Sequence, residues 1–198
     1  MTDEETDSAY KSIEEKLRLY LGTGCGKTTA TFGLSLRAIS RGKNVTIVFF
    51  DKLEENSSEG PALHFLENAN QPHFGNLSVH YTGVNRIGAG PKGSFRFYNS
   101  PNGILAEDIK EANRGLSLIR EALLRADDLV IADELLNVAH AGLIEWEAVK
   151  EILSLRQDPT VIVMTGRNAP EWLKEAASTV SVIDQLKHHG RAIEGLDC

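Results

Sequence analysis

The first third of the chain has a hydrophobic pattern that changes its period along the sequence. Apolar and polar residues alternate over Leu17–Leu21, which predicts a short strand. From Thr28 to about Arg41 the apolar positions recur at helical spacing, and Gly42 follows where a helix C-terminus is expected. Val45–Phe50 is a nearly unbroken apolar run, as is typical of a parallel strand covered on both faces. The pattern therefore predicts strand, glycine-rich loop, helix and strand in that order.

Helices and strands alternate through the rest of the chain. The predicted elements are a short helix around Pro61–Asn68, a strand over Leu77–Tyr81, a long helix from about Leu105 to Ala126, a strand over Leu129–Ala132, a helix over Trp146–Leu155, a strand over Thr160–Met164, a helix over Glu171–Ala177 and a strand over Val180–Ile183. Such alternation predicts an α/β fold with a mostly parallel sheet and helices on both faces. We expect one domain over residues 13–198, preceded by a flexible acidic tail over residues 1–12, which lack an apolar period.

A long loop is predicted between Gly83 and Gly103, a stretch that holds five glycines and two prolines. Loops of this length inside a domain are often functional. Its aromatic residues Phe95, Phe97 and Tyr98 either cover a ligand or anchor the loop to the core.

Composition and charge narrow the class of protein. With 198 residues, 41% of them hydrophobic, the chain can form one α/β domain with a full core. A net charge of −7 argues against a broad nucleic-acid surface. The two cysteines, Cys25 and Cys198, cannot form a disulfide framework, which favours a reducing cytoplasm. The absence of an apolar run of about 18 residues and the acidic N-terminus predict a chain that neither enters a membrane nor is exported.

The clearest candidate for chemistry is the loop Gly22–Thr29, with the sequence GTGCGKTT. A glycine-rich turn between a strand and a helix directs backbone N–H groups at phosphate oxygens, and the helix N-terminus adds positive potential. Lys27 would reach the phosphates, and the Thr28 hydroxyl would ligate Mg²⁺. Leu21 departs from the usual pattern, which has glycine there. The alternative is a flexible glycine turn beside a surface lysine.

A pair of acids forms the second candidate. Asp133 and Glu134 end an apolar strand, where an open parallel sheet places its ligand crevice. Acids at such a position can hold a metal, or they can cap the following helix. Together with the upstream loop, the metal role is favoured.

Several motifs in the same order resemble the ATP:corrinoid adenosyltransferases. The loop GTGCGKTT, followed by ATFGLSLRA, is similar to that family's GNGKGKTT and A-A-F-G-x-A-x-R-A. ADELLNVAHAGLIEWEAV resembles LDEL…G-x-L…EEV, TGRNAP resembles T-G-R-G-A-P, and LKHHGRAIEGLD retains part of V-K-H-x-x-x-x-G-x-x-A-x-x-G-I-E. The matches cover roughly residues 17–52 and 104–197.

This resemblance implies a RecA-like P-loop fold and a homodimer that transfers the 5′-deoxyadenosyl group of ATP to Co(I) of a corrinoid, with release of inorganic triphosphate. The cofactors implied are ATP as co-substrate, Mg²⁺ or Mn²⁺, and the corrinoid; a flavoprotein would be the electron donor. Lys27, Thr28 and Glu134 would support catalysis, and Thr28, Glu134 and Asp133 would hold the metal. The ATP-binding residues would be Gly22, Thr23, Gly24, Cys25, Gly26, Lys27, Thr28, Thr29 and Arg167. For Arg167 the alternative is a surface arginine paired with a glutamate.

The chain departs from the family at three places. The family's G-F-T-W segment, whose aromatic residues help to displace the lower cobalt ligand, is absent after Gly83. Phe95, Phe97 and Tyr98 would then bind the corrinoid instead. Thr23 and Cys25 replace the family's Asn and Lys, and Cys25 is either a tolerated small residue or an acidified thiol. The adjacent residues His188 and His189 are either metal ligands or solvated side chains.

Three other functions stay open at this point. A P-loop NTPase or small-molecule kinase would share the phosphate site, and the missing G-F-T-W segment keeps this alternative open. A non-catalytic ATP or corrinoid binder would be consistent with Thr23 and Cys25. A RecA-type nucleic-acid motor fits worst, because the chain is small and acidic.

Overall fold

The computed structural model describes residues 16–69, 71–100 and 102–187. Within these residues six strands form one sheet: β1 Leu17–Leu21, β2 Val45–Phe50, β3 Leu77–Thr82, β4 Leu129–Asp133, β5 Val161–Thr165 and β6 Thr179–Val182. The α-helices in the same residues are α1 Lys27–Ile39, α2 Gly60–Glu67, α3 Ala106–Leu124, α4 Leu135–His140, α5 Trp146–Ser154 and α6 Glu171–Glu175. The strand order is β3-β2-β4-β5-β1-β6, and every strand pair is parallel.

The central strands are covered on both faces because their side chains alternate between two apolar clusters. On β2, Val48 and Phe50 belong to the larger cluster, which the buried residues of α3, α4, α5 and α6 complete. Ile47 and Phe49 point to the smaller cluster, which contains Ile39 of α1 and Leu63 of α2. The sheet therefore has helices on both faces, as the sequence predicted.

The predicted elements are confirmed to within about two residues, and the α/β fold with a parallel sheet is confirmed. One strand, β5, lies between the loop-bearing β1 and the acid-bearing β4. Two features were missed. Leu135–His140 is helical but too short to show a period in the sequence, and Glu54–Asn56 forms a short 3₁₀ turn.

Helix α3 packs closely on the sheet, and this packing fixes the position at which the long loop ends. A Cβ at Gly115 would lie 2.5 Å from the Phe50 ring and 2.9 Å from the Thr82 hydroxyl, so only glycine fits at this contact. The stretch Gly83–Gly103, which leads into α3, contains one 3₁₀ turn at Pro91–Gly93 and otherwise no regular element among its described residues. The predicted long loop is therefore present, and it lies between the end of β3 and the start of α3.

Candidate active site

The glycine loop begins directly after β1, and its backbone explains why it starts one residue later than usual. Leu21 is the buried last residue of β1. Gly22 has φ +114, and a Cβ there would lie 2.3 Å from the carbonyl oxygen of Ile183. Gly26, with φ +106, occupies the N-cap of α1. Gly22 and Gly26 therefore require glycine because of their left-handed φ, and a Cβ at Gly24 would lie 2.7 Å from the carbonyl oxygen of Ile183. Leu21 is accommodated in the core.

Lys27 folds back over the loop. Its Nζ donates hydrogen bonds to the carbonyl oxygens of Gly22 at 3.0 Å and Gly24 at 3.1 Å, and the residue is only 9% exposed. The ammonium group is thus held against the backbone of a loop that precedes a helix N-terminus. This arrangement concentrates positive charge at one point and suits an anionic ligand.

The loop is also fixed from outside by Arg167 and by two residues that the sequence motifs did not single out, Ile183 and Asp184. The N–H of Gly22 donates to the carbonyl of Arg167 at 3.1 Å, and that of Gly24 donates to the carbonyl of Ile183 at 2.9 Å. The Thr23 N–H donates to Asp184 Oδ1 at 3.3 Å. The segments after β5 and β6 meet the loop here because these two strands are the neighbours of β1 in the sheet.

Thr28 and Asp133 meet across the site. The Thr28 hydroxyl donates to Asp133 Oδ2 at 2.9 Å, and the Thr165 hydroxyl donates to Asp133 Oδ1 at 2.8 Å. Asp133 is 0% exposed, and burial raises its pKa although both hydroxyls act to lower it. Thr165 also accepts the backbone N–H of Glu134 at 2.8 Å. The ends of β4 and β5 are therefore joined to the start of α1 through one carboxylate.

Glu134 has a different role from its neighbour. Its φ of +62 is left-handed, and its side chain makes no capping hydrogen bond to α4. Instead it accepts a hydrogen bond from Asn137 Nδ2. Burial and the charge of Asp133 raise the pKa of Glu134, while Lys27 and Arg167 oppose that rise. The helix-capping alternative for these acids therefore does not describe their contacts, and the carboxylate that meets Thr28 is that of Asp133.

The other loop residues and Arg167 are open to solvent. Thr23, Cys25 and Thr29 are exposed, and Cys25 Sγ accepts a hydrogen bond from Gln185 Nε2 at 3.5 Å. The Arg167 backbone N–H donates to Asn137 Oδ1 at 2.7 Å. Its side chain forms no ion pair within the part of the chain that the structure describes, so the surface-pair alternative is not observed there.

The three aromatic residues of the long loop differ in their environments. Phe95 is 39% exposed and Phe97 is 59% exposed, with their rings edge-to-face at 5.0 Å. The Tyr98 hydroxyl donates to Asp51 Oδ1 at 2.6 Å. Burial, together with that hydrogen bond, raises the pKa of Tyr98, so the phenol stays protonated. Tyr98 thus anchors the loop, whereas Phe95 and Phe97 leave apolar surface open.

The oxygen donors at and near Thr28 would complete the coordination of a magnesium ion only together with a bound ligand. The Thr28 hydroxyl and the carboxylates of Asp133 and Glu134 are hard oxygen donors. Over residues 16–69, 71–100 and 102–187 no group of three or more His, Cys, Asp or Glu could hold a metal. A cation here would therefore take its remaining ligands from phosphate oxygens and water. The other metal candidates, His188 and His189, lie outside the described residues, as do Cys198 and the acidic tail.

Among the described residues, no helix is long and apolar enough to cross a membrane.

The sequence model of the ATP:corrinoid adenosyltransferase BtuR/CobO/CobP family matches residues 14–196. A corrinoid adenosyltransferase of Salmonella typhimurium is 28% identical over 170 residues, which are 86% of this chain and 76% of the relative. One of Escherichia coli is 26% identical over 202 residues, covering 95% of this chain and 93% of the relative. A third, of Pseudomonas aeruginosa, is 27% identical over 177 residues, 89% of this chain and 78% of that protein.

Among solved structures, that of the Legionella pneumophila ATPase DotB aligns with 87% of this chain and 36% of that protein. The TM-score is 0.40 at 12% identity, a likeness too weak for any inference. The match of the family model spans nearly all of the chain and contains the glycine loop, both acids and Arg167. The chain belongs to the ATP:corrinoid adenosyltransferase family.

Proposed function

We propose that this protein transfers the 5′-deoxyadenosyl group of ATP to the Co(I) centre of a corrinoid and releases inorganic triphosphate. The observation that supports this most is the geometry of the glycine loop within a member of that family. Lys27 lies over the loop, and Thr28 is hydrogen-bonded to Asp133 of β4. The relatives, which are named corrinoid adenosyltransferases, support a transferase of this kind.

In the proposed reaction the Co(I) lone pair attacks C5′ of the ribose. A Co–C bond forms, the C5′–O bond breaks with its electron pair on the oxygen, and the cobalt becomes formally Co(III). No proton has to move, so no side-chain base is required. The protein's task is to stabilise the charge that develops on the leaving triphosphate. Lys27 and the N–H groups at the start of α1 are suited to that task, since donors that are fixed in advance stabilise developing charge.

Mg²⁺ or Mn²⁺ would be held by Thr28, Asp133 and Glu134 and would neutralise part of the phosphate charge. Between the two acids, the hydrogen bond from Thr28 favours Asp133 as the nearer ligand. Arg167 is proposed as a further contact to ATP because its exposed side chain starts beside the loop, where its carbonyl accepts the Gly22 N–H.

The corrinoid would bind against the loop that carries Phe95, Phe97 and Tyr98. Asp51, which holds Tyr98, directly follows β2, and β2 pairs with β4 in a register that sets Phe49 opposite Asp133. The aromatic residues therefore lie at the same edge of the sheet as the phosphate loop. A corrin ring has a large, partly apolar face, and the exposed rings of Phe95 and Phe97 supply a matching surface.

Other parts of the proposal follow from family resemblance. They are a homodimer, a flavoprotein as electron donor and a cytoplasmic location. The dimer is tested by sedimentation equilibrium of the full chain, for which we expect twice the mass of the 198-residue polypeptide.

The deciding experiment follows reduced cobalamin by absorbance with ATP, Mg²⁺ and a strong chemical reductant. We expect a light-sensitive Co–C species and one triphosphate for each corrinoid alkylated. Lys27→Ala should lower the rate at least about 100-fold, because it removes the main charge that faces the leaving group. The matched control is Lys110→Ala, on an exposed part of α3, which should leave the rate unchanged.

Two results would contradict the proposal. ADP and phosphate with an unalkylated corrinoid would indicate the P-loop NTPase or kinase, the alternative favoured by Val84, Asn85 and Arg86 in place of the family's aromatic segment. Tight nucleotide binding without any product would indicate a non-catalytic binder.

A further inference from the structure

One buried arginine, Arg96, and one partly buried arginine, Arg86, organise the long loop. Arg96 is 5% exposed and forms a two-point ion pair with Asp108 of α3, with nitrogen–oxygen distances of 2.6 and 3.0 Å. Its NH1 also donates to the carbonyl of Gly103 at 2.5 Å. A paired guanidinium and carboxylate fix both distance and orientation. The middle of the loop is thereby attached to the first turn of α3.

The second arginine attaches the loop to the sheet. Arg86 pairs with Asp51 Oδ2, while Asp51 Oδ1 accepts the Tyr98 hydroxyl. The Arg86 guanidinium lies 3.8 Å from the Tyr98 ring centroid and 4.7 Å from that of Phe95, within cation–π distance of both. The Asp51 carboxylate, which follows β2, therefore binds two residues of the loop, Arg86 and Tyr98.

The two attachments are linked through the backbone. The Arg96 N–H donates to the Arg86 carbonyl at 3.0 Å, and Arg86 NH1 donates to the Arg96 carbonyl at 3.2 Å. The two cations face two carboxylates, Asp51 and Asp108, so the network is balanced in charge. We call these four residues the arginine network.

The arginine network determines where Phe95 and Phe97 lie. Both flank Arg96 in sequence, and because the Arg96 side chain is buried, its neighbours are turned to the outside. Phe95 and Phe97 are 39% and 59% exposed, so apolar burial holds them only in part. Ordering such a loop costs conformational entropy, and the ion pairs are the interactions that offset it.

We propose that Arg86 and Arg96, paired with Asp51 and Asp108, are positioning residues for the corrinoid. They hold the Phe95–Phe97 pair in the orientation that receives the corrin ring, and they do not contact ATP. The inference rests on the proposed function, in which these rings bind the corrinoid. It adds that affinity for the corrinoid depends on a charged network beneath the rings, separately from affinity for the nucleotide.

The test measures KM for cob(I)alamin and for ATP in the full chain. Arg96→Met should raise the KM for the corrinoid about tenfold, which corresponds to the loss of roughly 1.4 kcal/mol of binding, and leave the KM for ATP within about twofold. The matched control is Arg120→Met, on the same helix as Asp108, which breaks an exposed ion pair with Glu151 of α5 and should change neither value. If the KM for ATP rises in parallel with that for the corrinoid, the network is merely structural and the inference is wrong.

A double-mutant comparison separates positioning from general stability. Phe95→Ala with Phe97→Ala should by itself raise the KM for the corrinoid, and adding Arg96→Met should then have little further effect. An additive effect would overturn the inference, because a positioning residue can act only through the rings that it positions.

A milder variant keeps the test decisive if Arg96→Met, which leaves Asp108 buried without its partner, does not fold. Tyr98→Phe removes one hydrogen bond to Asp51 and retains the ring. It should raise the KM for the corrinoid by a smaller factor at unchanged Tm, and no change would contradict the inference. Failure of the wild-type chain to alkylate the corrinoid would instead contradict the proposed function, so the two failures are distinguishable.

Discussion

At the residue scale, the geometry of the site depends on single positions, where an added Cβ or a lost charge would change it. Gly22 can adopt its left-handed φ and approach the Ile183 carbonyl because it lacks a Cβ. Asp133 accepts two hydroxyl hydrogen bonds while it is wholly buried. Backbone conformation determines what a substitution at Gly22 does, and desolvation determines what a substitution at Asp133 does. Each leads to a separate prediction.

Gly22→Ala should destabilise the protein by roughly 1–3 kcal/mol, because the new Cβ meets a backbone oxygen and the φ is strained. ATP binding should be lost with it, since the displaced segment is the loop itself. Gly33→Ala is the matched control. Gly33 lies inside α1, and apart from its own helix no described residue has an atom within 4 Å of a new Cβ, so alanine should stabilise the protein by about 0.5–1 kcal/mol. Urea unfolding and equilibrium dialysis measure the two effects, and equal stabilities would contradict the prediction.

Asp133→Asn should reduce adenosyl transfer roughly 100-fold without lowering stability at pH 7. Burial raises the folded-state pKa of Asp133 above its unfolded value. The ionised carboxylate therefore opposes folding, and this cost appears as the pH rises through the unfolded pKa towards the folded one. Asparagine has no such cost. Thermal melts and rate measurements on one preparation provide the test, and a large loss of Tm at neutral pH would show that the sign is wrong.

At the element scale, short polar contacts set how helices and strands begin. Asp128 precedes β4 and accepts hydrogen bonds from Lys43 Nζ at 2.8 Å and from the Asn44 N–H at 3.0 Å. It thereby joins the turn between α1 and β2 to the start of β4. The hydrogen bond from Lys43, opposed in part by burial, lowers the pKa of Asp128.

Asp128→Asn should lower the free energy of unfolding at pH 7 by about 0.5–1 kcal/mol, a modest value because Lys43 is largely exposed. A folded-state pKa below the unfolded one means that the contribution is complete above pH 3.8 and is lost as the pH falls through the lowered value. The difference between variant and wild type should therefore vanish in acid. Glu147→Gln, in an exposed pair with Lys150, serves as the control and should have no measurable effect. A difference that does not diminish at all as the pH is lowered below 3.8 would contradict this account.

At the scale of the whole molecule, the candidate site is assembled from segments that follow β1, β4, β5 and β6. All strands are parallel, so these ends meet at one edge of the sheet. A ligand at that edge binds only the folded state, because the unfolded chain does not bring the segments together. Stability and ligand concentration must then be coupled.

MgATP should raise the free energy of unfolding by about 2.7 kcal/mol at one hundred times its Kd. Inorganic triphosphate should also stabilise the protein, because the proposed chemistry leaves it bound in the same loop. Lys27→Ala should lose both effects, whereas Lys110→Ala should retain them. Calorimetric scans with each ligand measure this, and equal stabilisation of the Lys27 variant would show that the ligand binds elsewhere.

Local order along the chain was sufficient to predict part of this protein. The strand, glycine loop and helix over residues 17–39 are neighbours in sequence, so their periodicity and glycine spacing specify them without long-range contacts. The ordered motifs after them identified the family. The short helix Leu135–His140 was not predicted, because six residues do not complete two helical turns.

Only the tertiary structure decided which side chains meet. Thr28 hydrogen-bonds to Asp133, 105 positions along the chain, and Glu134 turns instead to Asn137. Tyr98 reaches Asp51 across 47 positions, while Phe95 stays open to solvent. Such contacts depend on the order of the strands in the sheet and on the course of the loops between them. The sequence by itself therefore determined the glycine loop and the family, whereas the folded chain determined which carboxylate contacts that loop and which ion pairs lie beside the aromatic rings.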